Sequence, residues 1–462
     1  MNKKQNNAAA DRMLGKAPVP KLLLKMAVPM VIAMVVNGLY YLVDAAFVGL
    51  AVGASALGGL AVVFPLQMLA VALATMIGVG TSSIISRRMG AGDSAGASAA
   101  VKNAIMYAGI LGVIIPVLLI LFKPAVLGFM GASASTIADA DAYYSVIIPG
   151  FLLIFLSFLE VNTIRAEGNA KLAAFGMFFG SVLNIGFDAL FIFVFKMGTA
   201  GAAWGTVTAR LITTILLTRY YVVKKSTVGI MTRGWKPNGR LIREISMLGI
   251  GSLFNQLGFA VLAVVMNLLL GKYGTDTDMA VFGVIARILV FVTMPLMGVA
   301  QGFQPIVGYS HGAGDPGRIK QAIRTAYLYA FVLGLIMLAF ILVTPQGVLG
   351  LFTNDSAIIT GGADALRISL MMTPLIGWQL IAYFYFMSVG RPLPSLVIAL
   401  FRQVIFILPL LAVLPLFLGL GGVWIAYPIA DVLSVAAATL MVVRARRKAT
   451  AAVSTQLAEV IS

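Results

Sequence analysis

Long apolar stretches alternate along this chain with short gaps rich in Gly, Pro and charge. Twelve stretches reach the roughly 20 residues that a helix needs to cross hydrocarbon. They run over 22–49, 56–86, 97–122, 142–165, 171–196, 200–223, 241–271, 279–309, 319–345, 362–390, 395–419 and 421–445. Each should be helical throughout, because a backbone in hydrocarbon must satisfy its own hydrogen bonds. The first starts after about 20 polar residues and passes Asp44 without a small-residue cleavage signature, so it reads as a span and not a signal peptide.

The pattern also predicts two halves. The segment 224–240 (KKSTVGIMTRGWKPNGR) is the longest polar gap between spans and reads as a linker between lobes at 22–223 and 241–445, with tails at 1–21 and 446–462. Gly90-Ala91-Gly92-Asp93 after the second span recurs as Gly312-Ala313-Gly314-Asp315 after the eighth, and GAAWG around Trp204 is echoed by GGVWI around Trp424. Two matches in corresponding places at nearly equal offsets indicate duplication. Six spans per half give both halves the same orientation, related by an axis along the membrane normal, with a cleft between two bundles. The expected fold is therefore all-α and integral to the membrane, with twelve transmembrane helices in two pseudosymmetric six-helix bundles.

Composition agrees: 60% of residues are hydrophobic and 11% charged, against about 25% charged in soluble proteins. The net charge of +17 would suggest nucleic-acid binding in a soluble protein, but the cations occupy the gaps between spans. With the N-terminus inside, 27 of the 33 Lys and Arg fall on the inner side and four on the outer, with Arg210 and Arg287 left within spans. That asymmetry predicts N-in, C-in topology in a plasma or inner membrane and no nucleic-acid partner. The absence of Cys excludes thiolate chemistry, and a single His, His311, leaves no His cluster for a metal. No phosphate-binding loop and no soluble domain are present, which argues against an enzyme or an ATP-driven pump.

Ionisable groups within spans cost about 2.5–3.5 kcal/mol on insertion scales, so each calls for a reason. The acids within spans are Asp44, Glu160, Asp188 and Asp431. By a rise of ~1.5 Å per residue, Asp44 lies about 8 Å, Asp188 about 12 Å and Thr206 about 9 Å below the outer ends of their spans. Asn184 stands one turn from Asp188 on the same helix face. These four side chains from spans 1, 5 and 6 share one depth. Two carboxylates in a low dielectric resist both being charged, which makes a place to hold a proton; with Asn and Thr oxygens beside them, the same groups could ligate Na⁺. The alternative is polar glue between three helices, a role to which two carboxylates are poorly suited.

The segments DAAFVGLAVG (44–53), ISRRMGAGD, RAEGNAKLA (165–173), NIGFDALFIF (184–193), GTAGAAWGTVTA (198–209) and QPIVGYSHGAGD (304–315) resemble those of the multidrug and toxic compound extrusion (MATE) family across all twelve spans. The resemblance implies a monomeric secondary exporter of small amphipathic, often cationic compounds, driven by inward H⁺ or Na⁺ and lacking any cofactor. The related alternative is a flippase of a lipid-linked sugar. It also implies an amino-lobe cation site at Asp44, Asn184, Asp188 and Thr206. Some members carry a second site with a Glu in span 7 and an Asp in span 10. Here those spans offer Asn255, Gln256, Gln379, Tyr383 and Tyr385, so coupling should rest on the amino lobe.

Candidate cleft residues are Glu160, Gln256, Gln379, Tyr383 and Met34. Glu160 either faces the cleft or pairs with Arg165. Arg210 and Arg287 are expected to be structural, with Asp431 neutralising one of them, and His311 to be a turn residue. Pro29, Pro116, Pro295, Pro374 and Pro409 can bend their spans.

Overall fold

The computed structural model describes residues 11–51, 54–223, 226–229 and 236–461. The tail 1–10 and the linker positions 224–225 and 230–235 lie outside the described residues. All regular structure among the described residues is helical. Six helices come from the first half: α1 (Val19–Ala51), α2 (Ala54–Gly90), α3 (Ser94–Leu121), α4 (Ile137–Ile147 then Phe151–Ala166), α5 (Ala170–Ala189, continued as a π-helix over Leu190–Val194) and α6 (Gly198–Val222). The second half supplies α7 (Gly239–Tyr273), α8 (Asp276–Gly312), α9 (Pro316–Val343), α10 (Ser356–Leu370 then Thr373–Ser388), α11 (Pro392–Leu400, π-helical over Phe401–Phe406, then Ile407–Leu418) and α12 (Leu420–Ile461).

Ten of these are long and apolar enough to cross a membrane, and the two bent ones raise the number to 12. The chain is a multi-pass membrane protein. The bend in α4 is 52° and falls at Pro149-Gly150; that in α10 is 42° and falls just before Thr373-Pro374. In both, proline removes a helical N–H and glycine or a turn absorbs the change of direction. Only Pro374 belongs to the prolines expected to bend a span at such a break. Two short helices, Lys123–Phe129 and Pro345–Gly350, follow α3 and α9 in corresponding places of the two halves. The last helix also continues through 446–461 where a tail was expected, in an Ala-rich stretch of high helix propensity.

Apolar side chains run round whole helix circumferences, as the outward Leu121, Phe340 and Val343 show, which is the mark of helices embedded in an apolar medium. Inward faces mix small residues with large ones. In the first half Ala74, Ala100, Ala104 and Ala140 let helices approach around Tyr144, Phe151 and Phe155; in the second, Leu262, Ile285, Leu366, Trp424 and Tyr427 form a separate core. Without a hydrophobic driving force between helices in lipid, such close packing supplies the cohesion.

Two compact units emerge, and their division does not fall at the linker. One comprises Met1–Leu257, Met297–Ala326 and Met387–Pro392; the other comprises Gly258–Leu296, Tyr327–Phe386 and Leu393–Ser462. The start of α7, the end of α8 and the start of α9 therefore pack with the first-half helices.

The repeated Gly-Ala-Gly-Asp has a local explanation. Gly92 and Gly314 adopt φ of 75° and 70°, the left-handed conformation that glycine enters without a Cβ clash. Asp93 then accepts from Gly96 N at 2.7 Å and Asp315 from Arg318 N at 2.8 Å, each capping the next helix. His311 sits in the last turn of α8, not in the following loop.

Candidate functional site: a carboxyl pair between α1, α5 and α6

The polar cluster expected from depth assembles in the first half. Asn184 Nδ2 donates to Asp188 Oδ1 and to Thr206 Oγ1, both at 3.3 Å, joining one turn of α5 to α6. Asp44 of α1 brings its carboxyl against that of Asp188. Asn184, Asp188 and Thr206 are buried, with Asp188 fully so. Three buried oxygens in the cluster have no hydrogen-bond partner: Asp44 Oδ1, Asn184 Oδ1 and Asp188 Oδ2. Unsatisfied acceptors in a low dielectric are costly, and a proton or a small cation would satisfy them.

Neighbouring residues explain how three helices meet there. A Cβ on Gly205 would fall 2.0 Å from Asp188 Oδ1, and one on Gly201 would fall 3.0 Å from the Phe191 carbonyl carbon. This small-xxx-small face lets α6 lie against α5 at the carboxyl. On the other side Asn37 donates to Ser181 at 3.4 Å, and Phe47 packs edge-on against Phe193 with centroids 5.3 Å apart. Asp44 lies between these two α1 to α5 contacts. The π-helical Leu190–Val194 begins two residues after Asp188, and such insertions are frequent at functional sites.

The MatE family model matches the chain over residues 29–190 and again over 252–413. The chain belongs to the MatE family. The multidrug export protein MepA of Staphylococcus aureus is 26% identical over 436 residues, which is 94% of this chain and 96% of that protein. MepA of Staphylococcus saprophyticus is 25% identical over the same shares. A solved structure described as the outward-facing conformation of a multidrug resistance MATE transporter superposes with TM-score 0.90 at 28% identity, covering 95% of this chain and 98% of that one. These relatives are transporters, and the chain is a MatE multidrug-efflux transporter in family and fold. The two matched stretches are equal in length, as a duplicated unit would give.

Glu160 does not pair with Arg165: its Oε1 accepts from Thr218 of α6 at 2.6 Å, and its Oε2 is buried without a partner. Gln379 is buried and donates to the Ile398 carbonyl at 2.9 Å, fastening α10 to α11. Tyr383 is buried together with Phe384, Tyr385 and Phe386. Gln256 on α7 and Met34 on α1 are half-buried.

Three polar features were missed or misassigned from the sequence. Asp431 neutralises neither Arg210 nor Arg287; it is ion-paired with Arg402, and both are buried. By sequence Arg402 falls among the inner-side cations, because it stands near the start of its span. Instead it lies in the π-helical part of α11, facing α12. Arg210 lies over the Phe158 ring at 5.3 Å, a cation–π contact, and Arg287 is exposed. Arg165, by sequence an inner-side cation, is buried and donates to Asn162 Oδ1 at 2.6 Å, to Gln304 Oε1 at 3.0 Å and to Gln301 Oε1.

Glu167, in the α4–α5 turn, is buried as well. It accepts from Ser226 Oγ and Thr227 N at 2.7 Å, from Thr227 Oγ1 at 2.9 Å and from Tyr220 at 3.2 Å. Burial pushes its carboxyl up to about 7 despite those donors. The sequence signal available for Arg165 and Glu167 was their place in RAEGN, which located a turn and not a buried network.

Proposed function

We propose that the chain is a secondary antiporter. It exports small amphipathic, cationic compounds against inward H⁺ through a cycle in which the cavity opens alternately to either side. The observation that carries the coupling reading is the facing of Asp44 and Asp188 with unsatisfied oxygens between α1, α5 and α6. A proton placed on the pair removes one of two buried charges and supplies a donor to an orphan oxygen. The pair can drive transport if its surroundings, and so its proton affinity, differ between the outward-open and inward-open states. The similarity to a transporter solved facing outward supports a cation site that first takes its ion from outside.

Na⁺ is the second reading. Asp44, Asp188 and Asn184 each leave an oxygen without a partner, and hard cations take oxygen ligands of this kind. The lipid-linked sugar flippase is less well supported: a phosphate headgroup needs a cationic cleft, whereas Arg210 lies on Phe158 and Arg402 is neutralised by Asp431. On the topology read from charge, both termini are inside and the carboxyl pair lies nearer the outer surface.

Asp44→Asn and Asp188→Asn should each abolish ethidium efflux from cells while leaving the protein folded and in the membrane. Normal efflux from both variants would remove the coupling role.

A further inference from the structure

At the ends of the helices away from the carboxyl pair, glycines bring backbones into contact in a pattern that follows the internal repeat. A Cβ on Gly90 (α2) would stand 2.0 Å from the Tyr309 carbonyl oxygen of α8, and one on Gly312 (α8) 1.9 Å from the Arg87 carbonyl oxygen of α2. These are the same contact seen from each copy of the repeat. Ten residues earlier in each copy stand Gly80 and Gly302. A Cβ on Gly80 would meet Ile245 O of α7 at 2.1 Å; one on Gly302 would meet the Ala27 backbone of α1 at 2.8 Å. Gly249 of α7 returns the contact, its Cβ 1.9 Å from Met76 O of α2. All of these residues belong to the first compact unit. No side chain of any kind fits at these crossings, so they exist only while the helices touch.

Charged groups lie among them: Arg87 of α2 is ion-paired with Glu244 of α7 at 2.9 Å, whereas Arg165 is not so compensated. Arg165 reaches from α4 to Gln301 and Gln304 on α8, with its Nε buried and unpartnered. It forms no ion pair among the described residues. A buried guanidinium held only by neutral amides is costly to desolvate, so separating α4 from α8 rehydrates it and offsets part of the lost packing. Outside this layer Asp11 accepts from Tyr309 at 2.6 Å and Arg318 donates to the Leu14 carbonyl at 2.9 Å, so the segment Asp11–Lys16 straps the same helix ends.

We infer that these crossings and the Arg165 contacts form the inner gate of the transporter, closed in this structure, and that the uncompensated charge of Arg165 keeps the gate openable. The inference rests on the alternating-access reading and on the charge-based topology. Gate residues here position helices and do not touch substrate.

The chain has no cysteine, so a single thiol can report on the gate. Ser86→Cys places one on α2 beneath the crossing, where Ser86 is fully buried against Gly308. In inside-out vesicles a membrane-impermeant maleimide should label it slowly in the otherwise unaltered chain. Gly249→Ala wedges α7 from α2, and Gln301→Leu with Gln304→Leu strips Arg165 of two acceptors; both should raise the labelling rate roughly tenfold by enlarging the open population. The glutamine variant decides the matter if Gly249→Ala does not fold. Unchanged labelling in folded variants would overturn the gate, and acceleration only in right-side-out vesicles would overturn its inner placement. Because accessibility and not transport is read, the result stands if Asp44 and Asp188 prove not to couple, a failure that would show instead as normal efflux from Asp188→Asn.

Discussion

Asp188 sits beneath Gly205, and there is no room for a methyl group between them. Gly205→Ala should therefore push the carboxyl out of line with Asp44 and Asn184 and lower efflux to near background, with little loss of folded protein by size-exclusion chromatography. Retained efflux would show that the α5 to α6 distance at this point is not critical. Glu167 behaves differently, because its burial outside the spans raises its affinity for protons. Below its ordinary value of 4.5 the group is protonated folded or unfolded. Between 4.5 and about 7 only the folded chain keeps the proton, so stability falls as pH rises through that window. Thermal unfolding in detergent should show this decline from pH 5 to pH 8, and Glu167→Gln should flatten it. The Asp44, Asn184, Asp188 and Thr206 cluster was legible in the sequence because helical rise alone sets depth. The partners of Arg165 and Glu167 were not, since they come from α8 and from the segment after α6, and no local spacing encodes them.

Between elements, the buried Arg402–Asp431 pair ties α11 to α12. Removing one partner leaves an uncompensated charge in a low dielectric, so Asp431→Ala should destabilise the protein by about 3–5 kcal/mol. The double variant Arg402→Met with Asp431→Leu should recover most of that loss, as read by unfolding midpoints in detergent; equal damage from single and double variants would contradict the pairing account. Helix number and type were readable from apolar run length, since the membrane fixes both. The bend in α4, the short helices after α3 and α9, and the π-helical turns at Leu190 and Phe401 were not, because each depends on packing against a neighbour and leaves the apolar run unbroken. The misplacement of Arg402 has the same origin: near the start of the apolar run 395–419, a cation looks like a flanking charge until its partner on α12 is seen.

Across the whole chain, duplication organises both the turns and the helix contacts. Gly92 with Asp93 and Gly314 with Asp315 repeat one cap geometry, and the glycines before them repeat one set of backbone crossings. The sequence revealed the repeat through its tetrapeptides, but not that Gly90 and Gly312 would meet each other's helices. The halves then diverge in chemistry: a carboxyl pair faces α1, α5 and α6 in the first, while the helices corresponding to α5 and α6 carry an ion pair in the second. The proposed ion coupling accordingly belongs to the half that holds the carboxyl pair. The most direct measurement is export of a fluorescent cation in proteoliposomes, with a pH gradient and a Na⁺ gradient imposed separately, for the parent chain and for Asp188→Asn. Proton coupling at the carboxyl pair should give saturable transport driven by the pH gradient, lost in Asp188→Asn. Equal gradient-driven transport by the variant would contradict it, and transport driven by Na⁺ alone would replace the proton with Na⁺ at the same site.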